Sequence, residues 1–128
     1  MRVRKEFAYI IRLALSGCCG VFAIEMSKEF GYPILGFVDD KGLVCHFCCL
    51  SPDGLIDAKG KGLSIDQIAE HYVYQGNLKL EVFTIEEIES SIQQNESLGL
   101  FDPPGYRQVL RELFKDSFWQ IWQESGRK

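Results

Sequence analysis

Helical apolar stripes at both ends of this 128-residue chain, strand-like segments joined by turn residues in its middle, and capping signatures that reopen helices beyond them predict an α+β fold. With 46% hydrophobic residues the chain can bury one modest core, so residues 1–128 are read as a single domain. Within it, residues 1–84 are expected to form the core and 85–128 a C-terminal helical extension.

Phe7, Ile10, Ile11 and Ala14 repeat at i, i+3, i+4 and i+7, the stripe of an amphipathic helix that Gly17 punctuates. From Cys19 the stripe resumes through Phe22, Ala23, Met26 and Phe30, and Gly31-Tyr32-Pro33 supplies the glycine and proline expected after a helix. Ile34 to Val38 and Leu43 to Leu50 read as strands joined by a turn at Asp39-Asp40-Lys41-Gly42. Ser51-Pro52-Asp53-Gly54 makes the next turn and Leu55 to Ala58 the next strand. After Lys59-Gly60-Lys61-Gly62, Ser64 and Gln67 fit a capping box that opens a helix carrying Ile65, Ile68, Ala69 and Tyr72. Leu78, Leu80 and Val82 alternate with Lys79 and Glu81 as a fourth strand. Thr84 and Glu87 form a second capping box for a helix through about Ser91, Gln93 to Gly105 reads as a loop, and Tyr106, Val109, Leu110, Leu113, Phe114, Phe118 and Ile121 stripe a last helix.

A net charge of −4 argues against a sequence-independent grip on phosphate backbones, so nucleic acid is not an expected partner. No apolar run is long enough to span a bilayer, and no membrane partner is expected. The five cysteines, Cys18, Cys19, Cys45, Cys48 and Cys49, fall in two tight clusters with an odd count, a usage that favours a reducing, cytoplasmic location. The opening Met1-Arg2-Val3-Arg4-Lys5 with Leu15-Ser16-Gly17-Cys18 has the outline of a lipoprotein signal. Arg12 interrupts it, and Phe7 to Ile11 falls short of the roughly 7–15 apolar residues such a signal needs.

The chemistry-bearing pattern is Cys19 at a helix start, followed by His46 and then Asp57 on neighbouring strands. A cysteine in the first turn of a helix sees the positive end of the backbone dipole, which favours thiolate over thiol. If Ser51 to Gly54 closes a symmetric hairpin, Leu50 faces Leu55, Cys48 faces Asp57 and His46 faces Lys59. His46, Cys48 and Asp57 then share one face of the sheet, with His46 and Asp57 diagonal neighbours roughly 7–8 Å apart at the backbone. An odd loop or a bulge would undo that parity. In this arrangement Cys19 is the nucleophile, His46 the base and Asp57 the group that fixes the imidazole tautomer, while the Cys19 N–H donates to the oxyanion.

Gly17-Cys18-Cys19-Gly20-Val21-Phe22-Ala23 resembles the Gly-Gln-Cys-Trp-Val-Phe-Ala motif of transglutaminases and, more loosely, the Gly-Ser-Cys-Trp-Ala-Phe motif of papain-like proteases. The order helix-Cys, strand-His, next-strand-Asp is also that of the transglutaminase-like branch of the papain-like superfamily. The resemblance covers about residues 15 to 60. It implies a nucleophile helix packed on an antiparallel sheet of about four strands, and thioester chemistry on an amide of a protein or peptide, as a peptidase, deamidase or transglutaminase-like acyltransferase. Cys19 matches the family nucleophile, His46 the base and Asp57 the orienter. Cys18 stands where transglutaminases have Gln, and Leu13 stands where papain-like proteases keep a Gln oxyanion donor.

The remaining signals have plainer readings. Cys18, Cys45 and Cys49 read as small core residues. Along Cys45-His46-Phe47-Cys48-Cys49, alternation sends Cys45 and Cys49 to one face and His46 and Cys48 to the other, so one ion cannot collect them; no metal and no cofactor is expected. Cys48 is placed to tune or resolve the nucleophile, although packing is the more ordinary account of it. His71 reads as a solvated residue at a helix end. Lys59-Gly60-Lys61-Gly62 lacks the spacing of a phosphate loop. Trp119 and Trp122, beside Phe118, mark a C-terminal helix that either packs on the core or offers a surface to a protein partner. The functional alternative to a cysteine enzyme is a non-catalytic member of the fold or a small acidic interaction protein of the immunity or adaptor kind.

Overall fold

The computed structural model describes residues 9, 12–14, 17–58, 60–64, 78–94 and 102–116. Their order is α1 (Cys19–Phe30), β1 (Ile34–Val38), β2 (Val44–Ser51), β3 (Gly54–Asp57), β4 (Gly60–Leu63), β5 (Lys79–Phe83), α2 (Ile85–Gln94) and α3 (Tyr106–Phe114). This is an α+β arrangement around an antiparallel sheet of strand order β4-β3-β2-β1-β5. Residues 9 and 12–14 are helical, within and at the C-terminal end of the first predicted stripe. The helix predicted after Ser64, with His71, and the segment carrying Trp119 and Trp122 lie outside the described residues.

α1 is buried all round over its first two turns rather than on one stripe. All residues from Cys19 to Met26 are buried, which makes it the central helix of the domain. It ends as its sequence demands: Gly31 adopts φ 76° and its N–H donates to the Ser27 carbonyl at 2.8 Å. The Ser27 hydroxyl then donates to the Tyr32 carbonyl at 2.7 Å, turning the chain toward β1.

The β1–β2 turn is built by Asp39, whose Oδ1 accepts from the N–H groups of Lys41 and Leu43, both at 2.9 Å. The β2–β3 hairpin closes symmetrically, with Leu50 opposite Leu55 and Ser51 opposite Gly54. The Ser51 hydroxyl bridges that turn, donating to the Gly54 carbonyl at 2.8 Å and accepting from Asp53 N–H at 3.2 Å. Beyond the strands read from the sequence there is a further edge strand, β4, in the stretch read as a connecting loop; its glycines carry little strand propensity.

Hydrophobic packing sorts the sheet into two sides. Ile34, Phe47, Cys49 and Ile56 join α1 and α3 in one cluster, while Leu35, Phe37, Cys48 and Leu55 form a second cluster with Leu78 and Leu80. On the α1 side, Phe83 stands edge-on to Phe47 with ring centroids 5.4 Å apart, and Gly36 leaves the space for it.

α2 opens on the predicted capping box: Thr84 N–H donates to Glu87 Oε1 at 2.8 Å, and Glu87 N–H to Thr84 Oγ1 at 3.1 Å. It runs to Gln94, one turn beyond the boundary expected at Ser91. α3 buries Tyr106, Leu110, Leu113 and Phe114 in the same cluster as Cys19 and Phe22, and the Phe114 ring sits between Phe22 (5.2 Å) and Phe30 (5.7 Å). Each such side chain removed from water stabilises by about 1.5–3 kcal/mol, so α3 belongs to the core rather than hanging from it. A buried carboxylate adds to that docking. Glu25 of α1, 1% exposed, accepts from Arg111 Nε at 2.8 Å, with Arg107 Nη1 3.7 Å from its other oxygen. Arg107 in turn holds both oxygens of Glu89 on α2 and donates to Asp102 at 3.1 Å.

Gly36→Ala would put a methyl group 2.5 Å from Phe83 Cε2 and 3.2 Å from Val44 Cγ1. It is expected to destabilise by about 1–3 kcal/mol through overpacking, read by urea denaturation. Arg111→Ala is expected to cost more than Lys28→Ala. Both side chains are about equally exposed, but the first removes a hydrogen bond of 2.8 Å to the buried Glu25, whereas Lys28 reaches it only at 3.8 Å without a hydrogen bond.

Candidate active site

Cys19 is the first residue of α1 and Cys18 its N-cap. Cys18 N–H donates to the Leu13 carbonyl at 3.0 Å and its own carbonyl accepts from Phe22 N–H at 3.0 Å, so the helix starts here with its approach pinned from both sides. The cap supplies no side-chain hydrogen bond and the first turn carries no acidic residue. No capping oxygen and no carboxylate of the helix's own first turn therefore offsets the positive end of the dipole at Cys19. Cys19 as a residue is 6% exposed.

The symmetric hairpin brings the two strand residues together. His46 Nε2 lies 2.8 Å from Asp57 Oδ2, with the side chains 1% and 3% exposed. The Cys19 thiol hydrogen-bonds the same imidazole. The imidazole thus has both the Asp57 carboxylate and the Cys19 thiol as partners. Two features aim the ring. The β1–β2 register shifts between Phe37 and Val38, making Cys45 the extra residue beside His46, and bulges of this kind redirect the side chains next to them. The Phe37 ring meets the imidazole edge-on at 6.2 Å. All three residues singled out from the sequence are therefore brought to one place.

Electrostatics follow from that geometry. Burial by itself pulls an imidazole toward neutrality, but the Asp57 hydrogen bond, the Cys19 hydrogen bond and the charges of both outweigh it, raising His46 from 6.5 to about 9. The imidazolium is the favoured form at neutral pH. The other cysteines move the opposite way from reactivity. Burial, with the charges of Cys19 and Asp102, lifts Cys18 to about 11, and burial with Asp57 lifts Cys49 to about 12. Cys48 is pushed up by burial, then by Asp57, Cys49 and Cys19. Cys45 is half-buried rather than in the core, and is raised by burial and Asp39. Cys49 spends its thiol on packing, donating to the Ala23 carbonyl at 3.5 Å.

No protein-family model, curated protein or solved structure matches the chain. Geometry and chemistry alone therefore carry the reading of this site.

A thiol, an imidazole and a carboxylate in series can hold a thiolate–imidazolium pair and pass a proton along the imidazole. Cys48 lies on the opposite packing cluster from Cys19, where its thiol serves with Leu35, Phe37 and Leu55 as a core residue. Among the described residues no three His, Cys, Asp or Glu side chains are placed to hold a metal ion. Nor is any helix among them long and apolar enough to cross a membrane. Tyr106 is the neighbour that sequence reading did not find as part of the site. It is buried in the Cys19 cluster, and burial together with the charges of Cys18 and Cys19 raises its phenol. In the sequence it is only one member of a helical stripe; its position after the left-handed Gly105 (φ 80°) was the available hint that a helix starts there.

The folded protein holds the His46 proton more tightly than the unfolded chain, so this contribution to stability is complete below pH 6.5 and is lost as pH rises through about 9. The raised cysteines weaken the fold by the same logic only from their ordinary value of 9.0 upward. Chemical denaturation across pH 6 to 10 should therefore show stability falling between 6.5 and 9. His46→Gln should flatten that interval and leave the decline above 9 in place.

Proposed function

We propose that this protein is a cysteine-dependent amide hydrolase or acyltransferase, of the papain-like or transglutaminase-like kind, acting on a protein or peptide through Cys19, His46 and Asp57. The observation that carries this is the buried His46–Asp57 hydrogen bond of 2.8 Å on an imidazole that also contacts a helix-start thiol. A His–Asp pair alone is a common core device; a third, nucleophilic partner on the same ring is what a purely structural pair does not need.

The reaction runs through two balanced steps. The Cys19 thiolate attacks the amide carbonyl carbon, the C–O π electrons move onto oxygen, and the collapsing intermediate expels the amine as it takes the His46 proton, leaving a thioester. His46, now neutral, removes a proton from the incoming water or amine, whose attack releases the acyl group as acid or new amide and returns the thiolate. Asp57 keeps the imidazole in one tautomer and steadies its positive form throughout. The Cys19 N–H, at the positive end of α1, is a donor for the developing oxyanion.

One observation favours a second reading, a non-catalytic member of the fold: Cys19 as a residue is only 6% exposed. Thiol chemistry separates the two. In the enzyme, iodoacetamide at pH 6 labels Cys19 at least about tenfold faster than the other four cysteines, since each unit of pKa is tenfold in thiolate, and His46→Ala slows that labelling by a similar factor. Peptide mapping assigns the modified residue, with half-exposed Cys45 the competing site. Slow, uniform labelling of all five would leave the non-catalytic reading standing.

A further inference from the structure

We propose that the C-terminal helix α3 completes the site, presenting the Tyr106 hydroxyl beside the Cys18–Cys19 helix start as the second hydrogen-bond donor to the tetrahedral oxyanion formed on Cys19. The inference rests on the reading of Cys19 as the nucleophile and adds a residue to its machinery.

Three observations lead to it. First, α3 is fixed to the nucleophile helix by an unusual device. Glu25, six residues along α1 from Cys19, is a buried carboxylate held by Arg111 at 2.8 Å, while Arg107 approaches it at 3.7 Å and is itself gripped by Glu89 and Asp102. Burying a carboxylate costs several kcal/mol unless it is well paired, and among the described residues Glu25 Oε2 accepts no hydrogen bond, with Arg107 at 3.7 Å and Lys28 at 3.8 Å as its nearest cations. What the clamp does is fix the position of α3 along α1. Second, the residue next to Arg107 is Tyr106, the first of α3. It is 4% exposed, buried in the cluster that holds Cys18 and Cys19, and its phenol senses the charges of both thiols. Asp102, tied to Arg107 at 3.1 Å, is likewise felt at Cys18, so the whole 102–106 segment lies at the α1 start. Third, the position six residues before Cys19 is Leu13, which has no hydrogen-bonding group to offer an oxyanion. Among the described residues, Tyr106 is a side-chain donor buried in the cluster at that end of the helix, and burial keeps it as the O–H form that can donate.

The test separates oxyanion binding from thiol reactivity. An aldehyde adds the Cys19 thiolate to its carbonyl carbon to give a hemithioacetal with a tetrahedral oxygen, whereas iodoacetamide is attacked at carbon with loss of iodide and forms no oxyanion. N-acetylglycinal protection of Cys19 against iodoacetamide is measured in the full chain for wild type and Tyr106→Phe, with thermal unfolding of each to confirm folding. The expected result is that Tyr106→Phe weakens protection by about tenfold or more while the alkylation rate without aldehyde stays within about twofold. Glu25→Gln, which loosens the clamp, weakens protection in the same direction by a smaller factor. Equal protection of wild type and Tyr106→Phe overturns the proposal, as does a parallel loss of protection and alkylation, and as does failure of the aldehyde to protect wild type. Slow, uniform alkylation of wild type is a different failure: it removes the nucleophile itself, and this inference with it.

Discussion

A carboxylate and an imidazole buried at the β2–β3 hairpin, 2.8 Å apart, form the constraint on which the rest of this molecule is arranged. Removing two ionisable groups from water costs several kcal/mol for each ion, and their attraction offsets that only when geometry is good and the remaining polar atoms are met. The hairpin provides the geometry. Leu50 opposite Leu55 and Ser51 opposite Gly54 set the parity that makes His46 and Asp57 diagonal neighbours, and a slip of one residue would turn one of them away. The same imidazole is hydrogen-bonded with Cys19, so the position of α1 and the protonation of the imidazole depend on one another.

The remaining architecture holds that contact in place. α1 is enclosed on all sides, which suits a helix whose first residue must not wander. Its far flank is covered by α3 through Phe114 between Phe22 and Phe30, and by the Glu25–Arg111 bond, so the element carrying the thiol is gripped by the sheet on one side and by the C-terminal helix on the other. The expected separation into a core of residues 1–84 and a helical extension of residues 85–128 thus understates how much the later residues contribute: Tyr106, Leu110, Leu113 and Phe114 share a cluster with Cys19.

Much of this was legible in the sequence because it is written in short-range chemistry. Gly31 at a left-handed helix end, the Asp39 turn and the Thr84–Glu87 capping box are local signals, and each forms as read. The juxtaposition of His46 and Asp57 was legible for a different reason: a four-residue turn fixes pairing parity, and parity fixes the shared face. Cys48 shares its strand face with His46, as alternation predicts: both lie on the Phe37 side of the sheet, where Cys48 packs with Leu35 and Leu55 and senses the charges of Asp57 and Cys19. Other features left weaker traces. β4 is a glycine-containing edge strand whose pairing with β3 comes from neighbours rather than propensity. Glu25 gives no local sign of its role: the arginines that meet it stand 82 and 86 residues away in sequence, which no local pattern connects.

The central claim is that His46 carries its proton at neutral pH because a carboxylate and a thiol both hold it. Nuclear magnetic resonance titration of the His46 ring nitrogens, in wild type and in Cys19→Ser, measures this directly. The account predicts an imidazolium in wild type that loses its proton near pH 9, and a clearly lower midpoint in Cys19→Ser, where one of the two stabilising charges is gone. A neutral His46 at pH 7 in wild type, or a midpoint unmoved by Cys19→Ser, would contradict it.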